Sequence, residues 1–332
     1  MKRVDARTLK GFRDYLPEAE VPRQHMLRAV VGVFESFGFG PLTTPALEYS
    51  EVLLGNYGDE GDKLLYRFED NGGRDVALRY DLTAPLARVV AQHGSLERPF
   101  KRYQIAPVWR AEKPGRGRFR EFLQCDVDIV GEASMRADAE CMLVGLQVLN
   151  TLGVESVEMR VNNRKLLAGI LDRVGIETEA ERRDVLRAVD KLPKIGQAGV
   201  ERELQKDHGL DEAACERLFE VLGRPINGRE DVQALEALLV DSEEGRAGVT
   251  ELLELLELLA SFREIVEERG ATTSWLELLH HTNERLCAWS ATRPDELQLP
   301  SMEISSTCRG PAAAMSTIAP SWRRRMLPAA AR

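Results

Sequence analysis

The apolar positions along the first 130 residues change period several times, and the changes mark the elements. Residues 18–37 place Val21, Met26, Leu27, Val30, Val31, Val33 and Phe34 at helical spacing. Gly38 and Gly40 end that helix, and Pro41 and Pro45 bracket a short extended stretch. Residues 76–80 read as a strand, and 86–90 as a helix after a turn at Thr83. Between 100 and 131 two strand-like runs flank the polar turn Lys113-Pro114-Gly115-Arg116-Gly117, which predicts a long antiparallel hairpin. A third strand is expected over 157–161, followed by a helix over 165–174. From 175 to 270 the strand signal fades into charged amphipathic helices. The clearest spans 249–268, where leucines at 252, 253, 255, 256, 258 and 259 form a broad stripe and Gly270 follows as a C-cap. Such a stripe is helix packing and carries no chemistry. The stretch from about 285 to 332 has little periodicity, scattered proline and a basic end, and reads as a disordered tail.

Alternation sorts the hairpin's side chains into two faces. On the second strand Phe119, Leu123, Cys125, Val127 and Ile129 share one face, and Arg118, Arg120, Phe122, Gln124, Asp126 and Asp128 the other. On the first strand Tyr103, Ile105, Pro107 and Trp109 oppose Gln104, Arg110 and Glu112. One face is therefore apolar and covered, while the other gathers guanidiniums, an amide and carboxylates. An arginine fork fits phosphate oxygens, and Gln124 and Asp128 accept hydrogen bonds from an amino group, so the surface suits a substrate carrying both. A solvated sheet face laced with ion pairs gives the same alternation, and the period alone favours that plainer reading. Pro107 points to a sheet edge or a bulge.

Composition narrows the setting. The chain has 332 residues, 43% hydrophobic and 30% charged, room for one large domain or two to three smaller ones. No apolar run approaches the roughly 20 residues that span a bilayer, and the first residues lack an apolar signal core, so a cytoplasmic protein without membrane contact is expected. Cys125, Cys141, Cys215, Cys287 and Cys308 form no CxxC pair and read as reduced thiols. The histidines are dispersed, so side-chain spacing predicts no resident metal. A net charge of −9 argues against a general nucleic-acid coat and leaves a local RNA contact open.

The segment KRYQIAPVWRAEKPGRGRFREFLQCDVDIVG, at 101–131, resembles motif 2 of class II aminoacyl-tRNA synthetases, and specifically that of histidine–tRNA ligases. Other segments agree with that family. KGFRDYLP at 10–17 resembles its opening, FGFGPLTTPALE at 37–48 its motif 1, and LRYDLTAPLAR at 78–88 its ammonium-holding segment. VNNRKLLAGILDRVG and VDKLPKIG, at 161–175 and 189–196, resemble its entry into a helical insertion. The likeness runs from about residue 10 to about 265. It implies an α+β fold, a class II antiparallel sheet flanked by helices, with a core over 1–174, a helical insertion over 175–270 and a disrupted or disordered tail over 271–332. It further implies activation of histidine by ATP, with Mg2+ as part of the substrate complex, and transfer of the histidyl group to tRNA(His) by a homodimer built on motif 1. Carried over by position, Arg110 holds the α-phosphate, Glu112 orients the adenine and Arg118 reaches the γ-phosphate. Asp81, Thr83, Gln124 and Asp128 surround the ammonium group of histidine.

Members of that family continue with an RGLDYYTG-like strand, a GGGRYD-like strand, a motif 3 arginine and an anticodon-binding domain, none of which is read in this sequence. Their loss is expected to remove part of the transition-state stabilisation, and to bare an edge and apolar surface on Leu123, Val127 and Ile129. Out-of-frame readings of the codons for Cys308–Ser316 and Cys287–Ser290 allow Ser-Gly-Ala-Gly-Gly-Arg-Tyr-Glu and Ala-Arg-Gly-Leu. The residues from about 285 onward are thus expected to be translated out of frame, which resequencing the gene would check. Two other readings stand beside the ligase: a synthetase-like, histidine-binding regulatory subunit of ATP phosphoribosyltransferase, and an inactive fragment. Retention of Arg110, Glu112 and Arg118 favours the synthetase lineage.

Overall fold

A computed structural model describes residues 5–268 apart from 56–60, 155, 156, 158, 160, 225 and 227. The chain divides near residue 155 into two compact units. The first begins with helix α1 (Pro17–Ser36), which has proline in its first turn and Glu18 and Glu20 beside the exposed N–H groups. Strand β1 (Gly40–Pro41) follows, then β2 (Leu47–Tyr49), the single turn α2 (Ser50–Leu53), β3 (Arg67–Glu69) and β4 (Asp75–Leu78). Helix α3 (Thr83–Gln92), strands β5 (Phe100–Trp109) and β6 (Glu121–Val130), and helix α4 (Met135–Thr151) complete the unit.

Among the described residues these strands form two three-stranded sheets. One has the order β2-β4-β3 and is antiparallel; the other has the order β1-β5-β6. In the second, β5 and β6 pair antiparallel without interruption from Phe100↔Val130 to Trp109↔Glu121, while β1 joins β5 in parallel through Gly40↔Arg102 and Pro41↔Tyr103. This sheet is therefore mixed where antiparallel pairing was expected. Of the two alternatives at Pro107, an edge or a bulge, the bulge is absent, since Pro107 stays in register opposite Leu123. Trp109, of the same parity, donates its N–H to Arg79 O at 3.1 Å, away from β6. The missing N–H of Pro107 thus lies on the outer edge of the hairpin, where it breaks no ladder.

The apolar face of the hairpin is covered. Tyr103, Cys125, Val127 and Ile129 pack under Val30, Val33 and Phe34 of α1 and Cys141, Val144 and Val148 of α4. The Phe34 and Tyr103 rings sit 5.6 Å apart, centroid to centroid. The bare apolar surface expected at Val127 and Ile129 is not found: they are 4% and 2% exposed, and Leu123 is half-buried. The two helices supply the cover that the reading assigned to further strands.

The second unit is helical. Its elements are α5 (Arg164–Asp172), α6 (Glu179–Val189), α7 (Leu192–His208), α8 (Glu212–Leu222), α9 (Arg229–Leu238) and α10 (Glu243–Glu268). The starts are capped: Asn163 accepts from Lys165 N and Leu166 N, and Thr178 with Glu181 makes a reciprocal capping box. Leu171, Val185, Ala188, Val200, Leu204, Leu218, Leu235 and Val249 form the core. α5 and α10 approach so closely that a Cβ on Gly169 would lie 2.3 Å from Gly245 Cα. The helix over 165–174, grouped by sequence with the first unit, therefore belongs with the later helices, against which it buries Leu166, Ile170 and Leu171. Of the strand expected over 157–161, residues 158 and 160 lie outside the described residues, and the others are not in a strand. Gly270, Cys287, Cys308 and the tail also lie outside them.

Candidate active site

The polar face of the hairpin is not solvated. Register aligns Arg102 with Asp128, Gln104 with Asp126, Ala106 with Gln124 and Val108 with Phe122. Arg102, Gln104, Gln124, Asp126 and Asp128 are each no more than 2% exposed. The reading of this face as an open, ion-paired surface fails, because period reports which side chains share a face and says nothing of what lies over it. Desolvating this many polar groups is costly unless they bond one another. Arg102 Nη2 stands 2.5 Å from Asp128 Oδ2, both side chains fully buried. Gln124 Nε2 donates to Asp126 Oδ2 at 3.3 Å, and Gln104 Nε2 to Thr44 Oγ1 at 3.1 Å.

A short loop between β4 and α3 meets this face. Asp81 Oδ1 accepts from Thr83 N at 3.1 Å and Ala84 N at 3.0 Å, closing the start of α3 as a capping carboxylate does. Leu82 packs fully buried on Ala106 and Val108, with Phe122 beside them. Its carbonyl accepts from Arg102 Nη2 at 3.2 Å. Arg110 Nε donates to Tyr80 O at 3.2 Å, with the guanidinium carbon 4.4 Å above the Tyr80 ring and 5.1 Å from that of Phe122. Arg79 braces the loop from behind, Nε bonding Pro107 O at 2.9 Å and Nη1 bonding Thr44 O at 2.8 Å. Burial lowers the pKa of Arg79, and the charge of Glu48 opposes that shift.

At the turn of the hairpin, Arg118 and Glu112 form an ion pair. The hydrogen bond and the charge of Glu112 raise the pKa of Arg118, whose side chain is about two-thirds exposed at 66%. Arg118 and Arg120, assigned by sequence to the second strand, lie before it, since β6 begins at Glu121. Arg120 anchors the turn instead: its Nε bonds Glu112 O at 2.9 Å and its backbone N–H bonds Gly11 O at 2.8 Å. Arg13 lies 4.0 Å over the Phe119 ring, so the segment around residues 9–13 is laid against the hairpin base.

The structure thus brings Asp81 and Thr83 to the hairpin that carries Arg110, Glu112, Arg118, Gln124 and Asp128, through bonds from Arg102 and Arg110 to the loop. Arg102 is the residue that sequence reasoning missed. Its parity with Gln104 placed it on the polar face, but it was not weighed there. Among the described residues no group of three or more His, Cys, Asp or Glu is placed to hold a metal ion.

This arrangement of loop, hairpin and flanking helices matches known proteins. The model of the histidyl-tRNA synthetase family covers residues 11–270. The chain belongs to that family. It is 43% identical over 253 residues to the histidine–tRNA ligase of Rhodopirellula baltica, an alignment covering 76% of this chain and 57% of that protein. It is 47% identical over 230 residues to the ligase of Aeropyrum pernix, covering 68% and 52%. The crystal structure of histidyl-tRNA synthetase from Nostoc sp. PCC 7120 superimposes with a TM-score of 0.68 at 30% identity, over 79% of this chain and 59% of that one. A Bacillus halodurans structure, described as an ATP phosphoribosyltransferase regulatory subunit/histidyl-tRNA synthetase, gives 0.66 at 25% identity, over 82% and 67%. The chain spans roughly half to three fifths of the length of these curated relatives.

Proposed function

We propose that this histidyl-tRNA synthetase family chain carries the ATP- and histidine-binding part of a histidine–tRNA ligase. The observation that supports this best is the tie between the two halves of the candidate site: Arg110 stacks on Tyr80 and bonds its carbonyl, so the phosphate-directed guanidinium and the Asp81–Thr83 loop are held together. Along the hairpin, charge changes in order. Arg118 and Glu112 sit at the turn, Arg110 and Phe122 next, and Gln124 and Asp128 deeper in the strand. At about 3.3 Å per strand residue, Gln124 and Asp128 lie about 13 Å apart along the chain, enough to line the length of an amino acid beside a nucleotide.

In the reaction this supports, the carboxylate of histidine attacks the α-phosphorus of ATP and pyrophosphate leaves. Arg110 neutralises charge on the α-phosphate oxygens, and its stacked position is set before the substrate arrives. Arg118 swings from Glu112 to the γ-phosphate of a bent ATP; an exposed ion pair of this kind contributes little, so giving it up is cheap. Glu112 is then released to orient the adenine. Asp81, Thr83, Gln124 and Asp128 receive the ammonium group. Transfer to tRNA(His) follows when the 3′-terminal hydroxyl attacks the acyl carbon of the adenylate, the acyl–phosphate bond breaks and AMP leaves. Magnesium comes with the phosphates of the nucleotide and spreads their charge. Leu47, Tyr49 and Phe68, each 45–53% exposed on the β2-β4-β3 sheet, support a homodimer through this region.

Histidine-dependent ATP–pyrophosphate exchange on the purified chain, with Arg110→Ala as control, tests the proposal. Exchange above the control is expected. Histidine binding without exchange would instead favour a regulatory subunit, one of the two descriptions borne by the Bacillus halodurans protein. Neither exchange nor binding would leave an inactive fragment.

A further inference from the structure

Arg102 has no role in the reading above, yet its side chain is as completely buried as that of Asp128, at 0% exposed. Its Nη2 alone reaches two places. It stands 2.5 Å from Asp128 Oδ2, across the hairpin, and 3.2 Å from Leu82 O, in the loop between Asp81 and Thr83. Nε and Nη1 make no hydrogen bond among the described residues, so these two contacts set its position. Removing either partner of a charge pair taken wholly out of water leaves the other charge uncompensated, so the two groups depend on each other.

We infer that Arg102 is a positioning residue for the ammonium subsite, holding the Asp128 carboxylate ionised and fixed relative to the Asp81–Thr83 loop. The inference rests on the histidine-binding reading proposed above. Asp128 is fully buried, and a carboxylate there without a cation beside it takes up a proton or turns away. Either change removes the charge that receives an ammonium group. The bond to Leu82 O adds a geometric role. Asp81 and Thr83 flank that carbonyl, so one guanidinium sets the spacing between the loop and Asp128. Arg102 touches no reacting atom in this scheme; it acts through Asp128.

The readout is discrimination, measured by calorimetry with two probes: histidine and 3-(imidazol-4-yl)propionate, which is histidine without its ammonium group. Arg102→Gln keeps a donor for Leu82 O and removes the charge. It is expected to lower the ratio of histidine to analogue affinity by about tenfold or more, the scale of one charged hydrogen bond. ATP affinity should stay within about twofold, and Arg102→Lys should return the ratio to within about threefold of the original. Equal weakening of both probes, or an unchanged ratio, overturns the inference and reduces Arg102 to a structural ion pair. If Arg102→Gln does not fold, Asp128→Asn is compared with Arg102→Gln/Asp128→Asn, which leaves neither buried charge. A residue that acts through Asp128 gives the same ratio in both, and a difference overturns the inference. Failure of the unaltered chain to bind histidine is a separate result that removes the proposed function itself.

Discussion

Gly11→Ala tests how the opening segment is held to the hairpin turn. Gly11 has φ +88°, a conformation that costs an L-residue roughly 1–2 kcal/mol. A Cβ there would also lie 2.8 Å from Arg120 Cγ and 2.9 Å from Cδ. The side chain of Arg120 must then move, and its bond from Nε to Glu112 O, of the charged type worth about 1.5–3 kcal/mol, is put at risk. The two terms sum to about 2.5–5 kcal/mol. That sum cannot all appear as global instability, because the segment can release its hold once the cost exceeds what docks it. Those holding contacts are the Arg120 N–H to Gly11 O bond, Phe12 against Tyr66 and Arg13 over Phe119. The effect should therefore appear locally. Trypsin cleavage after Lys10 and Arg13 should accelerate at least about 60-fold, the equivalent of the lower bound at tenfold per 1.4 kcal/mol. Hydrogen exchange at the Arg120 amide should accelerate with it.

Two glycines in the turn separate the contributions. Gly117 has φ +71° with nothing near its Cβ position, so alanine there brings strain alone, whereas Gly115 has open space and no left-handed φ. Gly115→Ala should leave cleavage and exchange unchanged, and Gly117→Ala should affect only the turn. Cleavage of Gly11→Ala within twofold of the unaltered rate, with the Arg120 amide still protected, would refute the argument that this backbone conformation and close contact hold the segment.

The remaining predictions concern the cores of the two units. Burial, with Asp126 adding to it, pushes the Cys125 thiol up to about 12, so its labelling by a maleimide at pH 8 should be at least tenfold slower in the folded protein than in urea, by peptide mass spectrometry. Because that raised value favours the neutral thiol, the stability Cys125 contributes is complete below its ordinary value near 9 and falls as pH rises from there toward 12. In the helical unit, Gly169→Ala would place a methyl 2.3 Å from Gly245 Cα and 2.8 Å from Gly245 N. Since backbone cannot move aside as a side chain can, overpacking should cost that unit about 2–3 kcal/mol in urea unfolding, and a loss below 0.5 kcal/mol would show the helices free to separate.

The hairpin and its apolar face were legible because a period of two fixes which residues share a side, and Cys125, Val127 and Ile129 are indeed buried under α1 and α4. The α1, α3 and α5 helices were legible for the matching reason at a period of 3.6. What period cannot report is what lies over a face. Sequence favoured a wet surface for the Gln124, Asp126 and Asp128 row, and the same alternation holds for a row closed from water. The register across the hairpin carries the missing information. Asp128 faces Arg102 only if the strands pair without a bulge, and Pro107 left a bulge and a sheet edge both open. With Pro107 on the outer edge the register continues, and the charge that balances Asp128 is found 26 residues earlier in the chain. A buried carboxylate in a strand is thus a question about its cross-strand partner. Had Arg102 been sorted by parity with Gln104, a guanidinium facing a carboxylate would have argued for a covered face, since only there does the pairing matter to stability.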